Sequence, residues 1–208
     1  MTDHNEDRRV RRTKALLLQG LIELMARKDI NDISVKELSD LADINRGTFY
    51  LHYSDIHDML AQIEDELFTE FHEILDRTLN KDTGTHSHRT TLFEIFTFLE
   101  RHRDMARVMM GPHGDLTFVN RLKSLVSTRL SSILSAGEKE TVCPYAESFA
   151  VSGCIGVIET WLNQPSPPCP REMAQICGDM LMMGVDTPPG APERGALQGG
   201  SLPGNKKT

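Results

Sequence analysis

The chain has 208 residues, of which 39% are hydrophobic, and a formal net charge of −7. That apolar share supports a packed core and excludes disorder throughout, while the acidic balance excludes a wholly basic nucleic-acid binder and still allows a local basic patch. No apolar run approaches the roughly 18 residues a membrane span needs, and the charged opening MTDHNEDRRVRR is not a secretory signal, so the expectation is a cytoplasmic protein with no membrane contact.

In chain order, residues 13–28 predict a helix, because Leu17, Leu21, Leu24 and Met25 fall on one stripe. After a break at residues 29–33, SVKELSDLA opens a short helix at Ser34. Glu37, three residues on, completes a capping box, and Val35, Leu38, Leu41 and Ala42 form the apolar face. Asn45 can cap a third helix over residues 46–53. Asp55 can cap a long fourth one over residues 56–79, whose buried stripe runs from Ile56, Met59 and Leu60 to Phe71, Ile74 and Leu75. The polar stretch 80–90 predicts a loop. Further helices are expected at residues 91–101, 104–110, 116–136, 138–163 and 170–185, with GPHG and QPSPPCP as breakers. Residues 186–208, rich in Gly and Pro, predict a disordered tail. No segment alternates like a strand, so the fold class is all-α, a small N-terminal unit joined by a long helix to a larger bundle.

Two short helices across a three-residue turn make a helix-turn-helix, whose second helix enters the major groove of DNA. With Phe49 and Tyr53 turned inward, Thr48, Tyr50, Leu51 and His52 are left on the other face. Their hydroxyl and imidazole groups suit phosphate oxygens, and the apolar rims of Tyr50 and Leu51 suit thymine methyl groups. Gly47 permits close approach of the backbone, and Arg46 reaches for phosphate or guanine. Upstream, Arg8, Arg9, Arg11, Arg12 and Lys14 form a basic arm suited to tracking phosphates.

ISVKELSDLADINRGTFYLHYSDIHDML, within residues 13–60, resembles the DNA-binding domain of the TetR/AcrR family of transcriptional regulators. The resemblance implies that Thr48, Tyr50 and His52 lie at the DNA, that Lys36 touches phosphate, and that Phe49 and Tyr53 are core. Ile56 stands where the family commonly has a phosphate-reaching lysine. FTFLERHRDMARVMMGPHGDLTFVNRL and YAESFAVSGCIGVIETWLNQPSPPCPREMAQI resemble the C-terminal half of one subset of the family. The implied organisation is a DNA-binding domain at residues 1–54, a regulatory and dimerisation domain at 55–185, and the tail. The last two helices would pair with their copies in a homodimer. Ser152, Gly153 and Gly156 suit such close approach, and equally suit packing within one subunit.

The implied protein is a repressor that binds double-stranded DNA at a palindromic operator and responds to a small-molecule effector of unknown identity. Met105, Met109, Met110, His113, Phe118, Phe149 and Met180 are the candidate ligand residues, the methionines for their adaptability. No nucleophile-and-base arrangement or phosphate-cradling glycine loop suggests an enzyme. His86 and His88 form H-x-H with no third ligand nearby, so neither metal nor cofactor is expected. The four cysteines, Cys143, Cys154, Cys169 and Cys177, have no metal spacing and are expected as reduced, buried thiols. The alternative is a helical protein-interaction module whose helix-turn-helix no longer binds DNA.

Overall fold

The computed structural model describes residues 3–79, 85–114, 116–134 and 144–185. Among these residues every regular element is a helix: α1 Asp3–Met25, α2 Val35–Ala42, α3 Arg46–Phe49, α4 Ile56–Leu79, α5 Thr85–Arg101, α6 Arg103–Met109, α7 Leu116–Leu134, α8 Pro144–Asn163 and α9 Pro170–Val185. The predicted tail, and the part of the predicted eighth helix before Pro144, lie outside the described residues.

Local chemistry fixes the helix starts. Ser34 Oγ accepts the Glu37 amide at 3.2 Å. The Glu37 carboxylate turns to Lys28 Nζ, so the expected reciprocal bond gives way to an ion pair across the α1–α2 connection. Asn45 Oδ1 accepts from the Gly47 amide at 2.7 Å. Asp55 Oδ1 accepts from the Asp58 amide at 2.8 Å, while Asp58 Oδ2 takes the Ser54 amide at 2.7 Å. α2 ends at Asp43, whose φ of 53° is left-handed, a conformation that Asp tolerates better than most residues.

Three boundaries differ from expectation. α1 starts at Asp3 rather than residue 13, so the basic arm is helical. Arginine is a good helix former, and acidic residues in the opening DHNED favour a helix start there. α3 stops at Phe49 instead of reaching residue 53. Beyond it the chain tightens, with Leu51 bonded to the Thr48 carbonyl and His52 to that of Phe49, because aromatic side chains lose rotamer freedom in so short a helix. α5 starts at Thr85, directly after Gly84, so residues 85–90 and both His86 and His88 are helical rather than loop.

α1 packs on α2, and its neighbours α2 and α3 complete the small unit. At Gly20 an added Cβ would stand 2.9 Å from Leu38 Cδ1, so the α1–α2 crossing is close. Leu17, Leu21, Leu38 and Phe49 fill this core, whereas Leu41, expected on the apolar face, stays exposed. The stripe of α4 is buried throughout, Leu67 partly so. α5 packs along α9 and α4, and α7 along α8. Arg121 of α7 reaches Asp65 of α4 at 3.1 Å and stands 4.2 Å over the Phe68 ring. Arg103 of α6 closes the end of α8, donating to the carbonyls of Trp161, Leu162 and Gln164 and lying 5.0 Å over the Trp161 ring. α6 also meets α1, which ties the small unit to the bundle.

Candidate nucleic-acid interface and ligand cavity

Residues 46–53 divide sharply between core and surface. Phe49 is fully buried and Tyr53 nearly so, while Tyr50 is 58% and Leu51 79% exposed. Phe49 packs edge-on to Tyr50 at 5.5 Å and against Tyr53 at 5.6 Å. The outward tyrosine is thereby held by the buried phenylalanine. Thr48 and His52 are half-buried beside them, with the His52 ring 6.3 Å from Tyr53. Burial pushes the Tyr53 hydroxyl up, helped by the charges of Glu66 and Asp58, so it keeps its proton. Lys14 Nζ lies 5.7 Å over the Tyr53 ring.

Arg46, Gly47 and Lys36 are exposed at the starts of α3 and α2. Gly47 has a local reason as well: a Cβ there would stand 3.1 Å from the capping Asn45 Oδ1. Arg8, Arg9, Arg11 and Arg12 are exposed along α1. Ile56 is buried at the start of α4 and belongs to the core.

In the bundle, α4, α5, α6, α7, α8 and α9 line an apolar cavity of about 150 Å³ that is partly open to solvent. Of the residues expected to line a ligand site, Met110 and Phe118 stand in its wall, Phe118 at 4.9 Å from Phe68. Met105 and Met109 are buried on α6 and are not among the wall residues, and His113 is half-buried in the turn after α6. Phe149 and Met180 face outward, 76% and 58% exposed. The wall contains residues that sequence reasoning passed over: Thr91, His102, Cys154 and Cys177. His102 Nε2 stands 3.0 Å from Glu70 Oε2, the same carboxylate that takes Arg101, and its ring lies 4.7 Å from Phe98. Desolvation raises the Cys154 thiol and pushes that of Cys177 up to about 11. Cys169, expected buried, is exposed beyond the end of α8, and Cys143 lies outside the described residues.

α8 is apolar around most of its circumference. Tyr145 and Phe149 project outward with Ser152 and Gly153, and a Cβ at Gly153 or Gly156 would meet nothing within 4 Å. Ile176 and Met180 of α9 are exposed too. Among the described residues no group of three or more His, Cys, Asp or Glu side chains is placed to hold a metal ion. No helix of those residues is long and apolar enough to cross a membrane.

A helix-turn-helix on an all-helical body is an architecture in which the second short helix can enter a DNA groove. Residues 87–183 match the TetR family model described as the transcriptional regulator C-terminal region. An uncharacterized HTH-type transcriptional regulator of Bacillus subtilis, YxbF, is 24% identical over 178 residues, 81% of this chain. The matched stretch is 44% of YxbF, so the chain spans less than half of that relative's length. The fold is also that of a TetR transcriptional regulator from Streptococcus agalactiae, with a TM-score of 0.58 and 20% identity, covering 86% of this chain and 99% of that one. It is equally that of the regulator FadR from Bacillus subtilis in complex with stearoyl-CoA, with a TM-score of 0.61 and 15% identity, covering 82% and 98%. Over residues 87–183 the chain is thus similar to the C-terminal region of TetR-type transcriptional regulators, and its fold is theirs.

Proposed function

We propose that this protein is a ligand-responsive DNA-binding regulator, a repressor working in the cytoplasm as a homodimer on a palindromic operator, with binding rather than catalysis as its whole task. Residues 1–54 form the DNA-binding head and residues 55–185 the regulatory and dimerising body. The observation that carries the reading is the division of one short segment: Phe49 and Tyr53 are buried while Tyr50 and Leu51 are held out to solvent.

In this reading Tyr50, Leu51, Thr48 and His52 meet the groove and its rim. Arg46 and Lys36 take phosphates at the starts of α3 and α2, and the arginines of α1 supply the salt-dependent part of the affinity. Ile56 does not take up the phosphate contact of the family's lysine, so the α1 arginines carry more of that load. The exposed face of α8, with Ile176 and Met180 of α9, is the surface that pairs with its copy. A molecule in the bundle cavity shifts the spacing of the two heads only as far as its affinities for the two conformations differ. α6, touching both α1 and α8, is the physical route between them.

The test is selection of bound duplexes from random DNA with the full chain, followed by fluorescence anisotropy on the selected site. A palindromic consensus is expected, and the double variant Tyr50→Ala/His52→Ala should lose binding while its thermal unfolding stays close to that of the parent. Recovery of no preferred sequence at low salt would end the regulator reading and favour a protein-interaction module.

A further inference from the structure

The bundle cavity carries information about the class of molecule it admits. Its volume is about 150 Å³, well below the several hundred Å³ of sites that take drug-sized ligands, and an apolar space of that order accepts a molecule such as benzene. Among the described residues no Lys, Arg, Asp or Glu is in the wall. A charged ligand buried there would lose its hydration without a counter-charge, a cost that normally forbids it. The thiols report the same environment, since burial alone raises Cys154 and is the main cause at Cys177. Both stay protonated near neutral pH and act as small apolar groups.

A polar handle stands at the edge. His102 is in the wall, and its Nε2 is committed to the Glu70 carboxylate at 3.0 Å. A carboxylate only accepts, so in the neutral ring Nε2 carries the proton and Nδ1 is the remaining acceptor.

We infer that the ligand of this cavity is a compact, uncharged aromatic molecule of roughly six to ten non-hydrogen atoms bearing one hydroxyl, packed among Phe71, Phe98, Phe118 and Cys154 with its hydroxyl directed to His102. A long-chain acyl thioester is the poorer fit: the space keeps only a short stretch of its chain from water, and the phosphates of its carrier would find no cation among the described residues of the wall. The inference rests on the reading of this cavity as the effector site of a regulator.

Calorimetry on the full chain in the absence of DNA tests it, with p-cresol, toluene and lauroyl-CoA as probes. p-Cresol should bind about tenfold more tightly than toluene, the scale of one hydrogen bond, and lauroyl-CoA more weakly than either. His102→Phe should bring p-cresol to the level of toluene. Cys154→Phe, which fills the space, should remove p-cresol binding. Should that variant fail to fold, Leu122→Ala serves instead: it enlarges the space, and 4-propylphenol should then bind the variant more tightly than the parent chain. Lauroyl-CoA binding more tightly than p-cresol, or p-cresol binding indifferent to these substitutions, would overturn the inference. Because these titrations contain no DNA, failure to select an operator would sink the regulator reading alone. Release of an operator by lauroyl-CoA and not by p-cresol would keep that reading and sink this one.

Discussion

Phe49 and Tyr50 are neighbours in sequence with opposite environments, and the difference can be measured. Phe49 is 0% exposed and packs on Tyr53. Phe49→Ala should therefore cost about 3–5 kcal/mol, the range for emptying a core aromatic site, and should reduce DNA binding only by unfolding the head. Tyr50→Ala, at a surface position, should stay within about 0.5 kcal/mol of the parent yet weaken operator binding. Denaturant unfolding with anisotropy on the same samples separates the two, and a Tyr50→Ala destabilisation as large as that of Phe49→Ala would place Tyr50 in the core. A second residue, Asp58, links the head to pH. Its carboxyl is held below the ordinary 3.8 by the Ser54 amide first, then by Gln62 and the Ser54 hydroxyl. A folded pKa below the unfolded one means the stabilisation is present above 3.8 and disappears as pH falls through the lower folded value. Asp58→Asn should accordingly be less stable than the parent at neutral pH, with the gap closing as pH drops below that value. Urea melts across an acid pH series read this directly, and a gap independent of pH would deny the carboxylate its role.

At the scale of elements, what could be foreseen was whatever adjacent residues decide among themselves. Ser34, Asn45 and Asp55 each cap the helix that follows, because a cap is chemistry within four residues. The stripes of α1 and α4 were equally legible, since a period of 3.6 survives in the order of the residues. The first turns of α1 and α5 carry no apolar stripe, so periodicity was silent there and composition suggested an arm and a loop. The cavity was illegible for a different reason: six helices contribute to its wall, and Thr91 and Cys177 meet only after the fold has formed. Phe149 and Met180 illustrate the converse, since an apolar residue on a helix gives no sign of which side it faces; both are exposed. The helical start of α1 changes what its arginines should do. Held on one rigid helix, Arg8, Arg9, Arg11 and Arg12 are exposed together. Replacing all four by Ala preserves helix propensity. If they neutralise phosphates, the plot of log affinity against log salt should flatten by roughly 0.9 for each phosphate the variant leaves unneutralised. Anisotropy titrations over a salt series supply the slope, and an unaltered slope with the quadruple variant would remove α1 from the DNA-binding surface.

At the scale of the whole molecule, the outer face of α8 is the feature a lone subunit does not explain. A buried core accounts for one apolar stripe on a helix, yet Tyr145 at 84% and Phe149 at 76% exposure stand on the other side. Single exposed apolar residues are ordinary, but a contiguous patch on a packed helix marks an association surface. The open space at Gly153 and Gly156 adds a shape argument, because a partner helix can approach there without meeting a side chain. A stable interface needs about 800 Å² from each partner, and each buried aromatic ring supplies roughly 150–250 Å² of it, so Tyr145 and Phe149 would contribute a large share of the proposed dimer. Phe149→Glu puts a charge into that interface on both sides of a two-fold axis, where each copy would face its own like charge. The variant should sediment as a monomer at concentrations where the parent is a dimer. Its helical content should be unchanged, because the position is already solvated in the single chain. Operator affinity should fall with it, since the two heads would no longer be held one helical turn apart. A Phe149→Glu chain that still sediments as a dimer would move the pairing surface off α8, and an unchanged operator affinity in a true monomer would mean that one head suffices for recognition.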